Sequence, residues 1–228
     1  MTQHDHQGDH GHGHGHGHGH GHHNDQGLKA MLRYTRHLPS MWRSVVNDAV
    51  LALADPVVGE RGLDIGAGIG AGALPAAARG ARVIAVEPTP YMRRALGVRC
   101  RLSGHGDRIE IVDGSAERLP VDDASIDVAW AVNTMHHWLD PEVAASEIAR
   151  VLRPGGRVVL VDEDFADPAH PDYEEWGAEH GPEHHGFTMV EADRMGALLG
   201  ANGLGDVEAG GRVLAGRPVI AVTATAPA

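Results

Sequence analysis

Between Gly62 and Ala78 the chain runs from a short strand, Gly62-Leu63-Asp64-Ile65, through a glycine-rich turn, Gly66-Ala67-Gly68-Ile69-Gly70, into an alanine-rich helix. Glycine tolerates backbone angles that other residues avoid, so the turn is tight and its backbone can approach a ligand closely. The helix that follows starts with free N–H groups and the positive end of its dipole. Strands alternating with helices in this way build a parallel sheet through right-handed crossovers.

The alternation continues along the chain. Residues 28–54 read as two short helices. The second starts after Pro39-Ser40, with Met41, Val45, Val46, Ala49, Val50 and Leu53 at helical spacing. Strands are expected at 81–86, 108–112, 126–132 and 157–161, and helices at 91–102, 141–152 and 189–202, the last ended by Gly203. Pro154-Gly155-Gly156 reads as the turn between a helix and a strand, and residues 206–208 and 218–225 as two more strands. The expected fold is α/β: a Rossmann-like, doubly wound, mostly parallel seven-stranded sheet with helices on both faces. Ligands in such sheets sit beyond the carboxyl ends of the strands, where the strand order reverses.

Composition narrows the function. The 228 residues fit one domain, and 31 acids against 19 bases leave a net charge of −12. That balance speaks against a nucleic-acid partner, which needs a basic footprint. Cys100 is the one cysteine, so neither a disulfide scaffold nor a multi-cysteine metal site is available. No run of about 18 apolar residues suggests a membrane span. No basic-then-apolar leader pattern is present either, and a cytoplasmic location is expected.

Residues 1–27 form a separate segment, holding ten of the 18 histidines and almost nothing apolar. This His/Gly-rich tail is expected to be disordered, with the folded domain spanning 28–228. His10, His12, His14, His16, His18, His20, His22 and His23 are candidate ligands for Ni or Zn, a binding the expected catalysis does not require.

Two readings fit the glycine turn. Gly66-x-Gly68-x-x-Ala71 satisfies a dinucleotide fingerprint, with Glu87 21 residues after Gly66 as the ribose acid. Asp64, two residues before the first glycine, would repel a pyrophosphate and suits a cationic or amine-bearing ligand instead. S-adenosylmethionine carries an ammonium and a sulfonium and no phosphate.

Four stretches, in this order and spacing, resemble the class I S-adenosylmethionine-dependent methyltransferases of the type 11, ubiquinone-biosynthesis-like group. They are Leu63 to Gly70, Val83 to Pro88, Gly114-Ser115-Ala116-Glu117-Arg118-Leu119-Pro120, and Ser125 to Trp138 continued by Ala149 to Gly156. The resemblance implies S-adenosylmethionine as cofactor. Gly66, Gly68 and Gly70 would line its methionine part, with Asp64 nearby. Glu87 would accept from both ribose hydroxyls, Ser115, Ala116 and Glu117 would flank the adenine, and Asn133 would lie near the methionine carboxyl and the methyl. Ser115 departs from the family, which usually has Asp there; Asp113 or the Ser115 hydroxyl could substitute. The reaction implied is in-line displacement onto a small-molecule acceptor, with His136 or His137 as a base if the nucleophile must lose a proton. The acceptor atom and the oligomeric state are not legible.

Residues 162–186 carry nine acids and four histidines without a lysine or arginine. They read as a lid-like acidic insertion drawing a cationic acceptor, as a weak metal site, or as a solvated loop. Two further readings of the whole chain stay open: a metal-handling protein whose domain binds cofactor without turnover, and a nicotinamide-dependent oxidoreductase.

Overall fold

The structure is a computed structural model that describes residues 44–174, 183–184, 187–188 and 191–228. The tail histidines, the helix expected before residue 40 and Met41 lie outside the described residues. The first described helix, α1 (Val45–Ala54), starts at Ser44, whose hydroxyl accepts the Asn47 N–H at 3.3 Å. It is followed by β1 (Arg61–Ile65), α2 (Ala73–Ala78), β2 (Arg82–Val86), α3 (Pro90–Ser103), β3 (Ile109–Val112), β4 (Ile126–Val132), α4 (Pro141–Val151) and β5 (Leu152–Glu163). A two-stranded ribbon, β6 (Glu183–His184) and β7 (Phe187–Thr188), precedes α5 (Ala192–Ala201), β8 (Gly205–Leu214) and β9 (Arg217–Thr225).

The seven-stranded sheet has the order β3-β2-β1-β4-β5-β9-β8. Strands β1 to β5 are parallel, and β9 runs antiparallel to both of its neighbours. The chain winds outward from β1 through β2 to β3, then returns to start again at β4. The order therefore reverses between β1 and β4, and the crevice at their carboxyl ends is the expected ligand position.

Both faces of the sheet are covered, which is why β1 and β4 are mostly apolar, with Asp64 and Asp127 as buried exceptions. In β4, Val128 and Trp130 face α1, α2 and α3, while Ala129 and Ala131 face α4 and α5. Helix α4 is set by Asp140, whose side chain accepts the N–H groups of Glu142 and Val143 at 3.0 and 3.2 Å, with Pro141 at the first helical position.

Two sequence expectations change here. Strand β5 begins at Leu152, so Pro154-Gly155-Gly156 lies inside it as a bulge, where the register with β4 shifts between Ile126 and Val128. Asp162 and Glu163, read as the start of an irregular insertion, close β5 instead.

Trp130 is fully buried and its ring lies over Gly62 on the neighbouring strand. A Cβ at residue 62 would stand 2.7 Å from the ring. Gly62→Ala is expected to destabilise the domain by about 1–3 kcal/mol through overpacking, seen as a lower urea midpoint. An unchanged midpoint would mean that Trp130 can shift freely.

Candidate active site

The glycine turn bridges β1 and β2: the N–H groups of Gly66 and Ala67 both donate to the Val86 carbonyl at 2.9 Å. Gly66, Gly68 and Gly70 have φ of 72°, 53° and 87°, the left-handed region where a side chain is strained. At Gly66 there is no room either, since a Cβ would lie 2.5 Å from Thr134 Oγ1 at the end of β4. The first glycine thus lets the ends of β1 and β4 close on each other at the switch point.

Glu87, at the end of β2, is 5% exposed. Its Oε2 accepts the Gly68 N–H and its Oε1 the Thr89 N–H, both at 2.8 Å. The carboxylate joins the glycine turn to the start of α3, and each oxygen keeps a second lone pair for a further donor. Arg93 Nη1 donates to the Glu87 carbonyl at 2.6 Å and pairs with Asp113 at 2.9 Å.

Asp64 is buried beneath the turn, and burial pushes its carboxyl up to about 7. The Ala73 N–H and the Trp130 indole pull it part of the way down, while the charge of Glu87 adds to the rise. Asp64 Oδ2 and Trp130 Nε1 close no hydrogen bond among the described residues.

At the end of β4, Asn133 has φ +53°, uncommon for a residue with a side chain. A reciprocal pair holds it there: Asn133 Nδ2 donates to Glu163 Oε1 and the Glu163 N–H donates to Asn133 Oδ1, each at 2.7 Å. The following turn, Met135–His137, rests on Asp162. Its Oδ1 accepts the N–H groups of Thr134 at 2.9 Å and Met135 at 3.2 Å. Its Oδ2 accepts the His136 N–H at 3.0 Å and lies 2.9 Å from His136 Nδ1. Burial alone would raise the Asp162 carboxyl, but hydrogen bonds and charge from His136 outweigh it and hold it below the usual carboxylate range. An ionised Asp162 accepts only, so the ring nitrogen that faces it, Nδ1, carries a proton. His137 is exposed and stacks at a tilt on His136, ring centres 4.1 Å apart.

Residues 63–160 match the family model for a methyltransferase domain, type 11. This segment is therefore similar to a type 11 methyltransferase domain. The chain is 37% identical over 131 residues to the demethylmenaquinone methyltransferase of Clavibacter sepedonicus, covering 58% of this chain and 50% of that one. It is 43% identical over 106 residues to an uncharacterized methyltransferase of Mycobacterium bovis, covering 46% and 41%. The chain thus spans half or less of the length of these curated relatives. Its fold is similar to that of a putative S-adenosylmethionine-dependent methyltransferase of Methanococcus maripaludis, with TM-score 0.67, 17% identity and coverage of 90% and 94% of the two chains.

The stretch after β3 lacks the carboxylate that the family resemblance implies. Ser115 is partly buried and bridges Arg118 through its backbone, and Ala116 is buried. Asp113 is exposed and paired with Arg93. Glu117 Oε1 accepts the Leu139 N–H at 2.7 Å, tying this loop to the entry of α4.

The acids after β5 differ most from their sequence reading. Asp172 N–H donates to His170 Nδ1 at 3.1 Å, so the His170 proton sits on Nε2, 3.1 Å from Glu163 Oε2. Arg217 Nη1, from the start of β9, donates to Glu163 Oε2 and Asp172 Oδ2, both at 2.7 Å. A cation missing from residues 162–186 comes from the start of β9, far along the chain. Among the described residues no group of three or more His, Cys, Asp or Glu is arranged to hold a metal ion. Residues 175–182 lie outside the described residues. No described helix is long and apolar enough to cross a membrane.

Proposed function

We propose that the chain binds S-adenosylmethionine across the carboxyl edge of β1, β2, β3 and β4 and transfers its methyl group to a small-molecule acceptor. Glu87 carries this reading: a buried carboxylate, fixed by the glycine turn, with one lone pair left on each oxygen for the two hydroxyls of a ribose. The match of residues 63–160 to the methyltransferase family model supports it, and Asp64 beneath the first glycine disfavours a pyrophosphate. When bound, the cofactor supplies a sulfonium methyl open to in-line displacement.

The residues divide the remaining work. Gly66, Gly68 and Gly70 give the methionine part close backbone approach. Ser115, Ala116 and Glu117 border the adenine, with the Ser115 hydroxyl in the role of the missing carboxylate. Asn133, locked at positive φ by Glu163, stands at the methyl end. His136 takes a proton at Nε2 from an acceptor that must lose one, and Asp162 stabilises the imidazolium that results. Its buried carboxylate contact favours His136 over the exposed His137 for this role. The remaining contribution is proximity and alignment.

The test is transfer of a labelled methyl group from the cofactor into an extract of small metabolites. Label is expected in a small acceptor with the full chain, and several-fold less with Glu87→Ala at cofactor concentrations below saturation. Cofactor binding without any labelled product would favour a non-catalytic domain.

A further inference from the structure

Asp64 is not needed for the displacement step, yet one of its oxygens is buried in the described core without a hydrogen-bond partner. Three polar atoms converge beside Gly72. A Cβ there would lie 2.7 Å from Trp130 Nε1, 2.9 Å from Asp64 Oδ2 and 3.4 Å from Asn47 Oδ1. Two of the three, Asp64 Oδ2 and Trp130 Nε1, are buried without a hydrogen-bond partner. An unpaired buried carboxylate is costly, and protonation is the cheaper way out.

Among the described residues, no positive charge is set against Asp64. On β2, Glu87 at the carboxyl end is negative, and Arg82 is exposed at the opposite end. On α1, Asn47 is neutral and Asp48 is exposed. The Ala73 N–H of α2 and the Trp130 indole of β4 lower the carboxyl part of the way without closing a hydrogen bond to Oδ2. Burial, with Glu87 adding to it, therefore holds the carboxyl near neutrality, at about 7.

We propose that Asp64 is the neutral acid in the cofactor-free domain and gives up its proton when the ammonium end of the cofactor settles against it, making capture a proton-releasing step. The proposal rests on the S-adenosylmethionine reading above. A bridging water is the ordinary solution for such a group, and it would leave the proton count at zero.

The experiment is calorimetry of the full chain at about pH 6 in buffers of different ionisation heat. Two nucleosides are compared, S-adenosylhomocysteine and 5′-methylthioadenosine, which lacks the ammonium and carboxylate. An α-ammonium is fully protonated at that pH and contributes no proton of its own. Linkage predicts release of roughly 0.9 proton with S-adenosylhomocysteine and none with 5′-methylthioadenosine, and an affinity for the former rising about fivefold from pH 6 to pH 7. In Asp64→Asn the release should vanish. Binding of S-adenosylhomocysteine to the unaltered chain without proton release would overturn the proposal, as would equal release with both nucleosides. Absence of binding by either compound would overturn the cofactor reading as well.

Discussion

Glu87→Ala is expected to weaken S-adenosylmethionine binding at least tenfold, the largest single-residue effect on the cofactor. Hydrogen bonds to a charged group are worth about 1.5–3 kcal/mol, and about 1.4 kcal/mol is a factor of ten. The loss has two sources. The ribose would lose its acceptor, and the Gly68 and Thr89 N–H groups would lose theirs, loosening the glycine turn itself. Glu87→Gln separates the two, because its single carbonyl oxygen still accepts one of these donors and carries no charge. Its affinity should fall between those of the wild type and alanine. Equal affinity in all three proteins would remove Glu87 from the site, and a urea transition on each would show that the domain stays folded.

The second large effect is on stability. Asp162→Ala strips the acceptor from three backbone N–H groups, those of Thr134, Met135 and His136, and from the His136 ring. Leaving such donors buried and unpaired should cost about 2–4 kcal/mol, near the upper end for a point substitution. The pH dependence has a definite sign. The folded Asp162 carboxyl lies below its ordinary value, so its contribution is present above the unfolded pKa, about 3.9, and is lost as pH falls through the lower folded one. Asp162→Asn should therefore lose stability near neutral pH and show a flatter acid limb. Urea unfolding at a series of pH values measures both. A variant as stable as the parent at pH 7 would mean that the turn at 135–137 has other support.

Much of the cofactor edge was legible because its signals are local. A glycine at positive φ, an acid at the end of an apolar strand and the strand-turn-helix order all occupy a few consecutive residues. The span of β4, Ile126–Val132, followed from its apolar run alone. What escaped was set by distant partners. Nothing near Glu163 or Asp172 announces Arg217, 54 and 45 residues away. Residues 162–186 therefore read as an uncompensated acidic run. Strand β8 was expected only over 206–208. Its later half carries Gly210 and Gly211 and stands at the sheet edge, so pairing with β9 defines it, not its own propensity. The fit of Trp130 over Gly62 depends on two strands lying side by side. His136 and His137 were equivalent in sequence and differ in space, because Asp162 reaches one of them.

The most direct measurement is a titration of the full chain with S-adenosylmethionine and, separately, with NAD, followed by calorimetry. The account predicts saturable binding of one S-adenosylmethionine per chain, at least tenfold weaker in Glu87→Ala, and no heat from NAD. Saturable NAD binding, or no heat from S-adenosylmethionine, would contradict it.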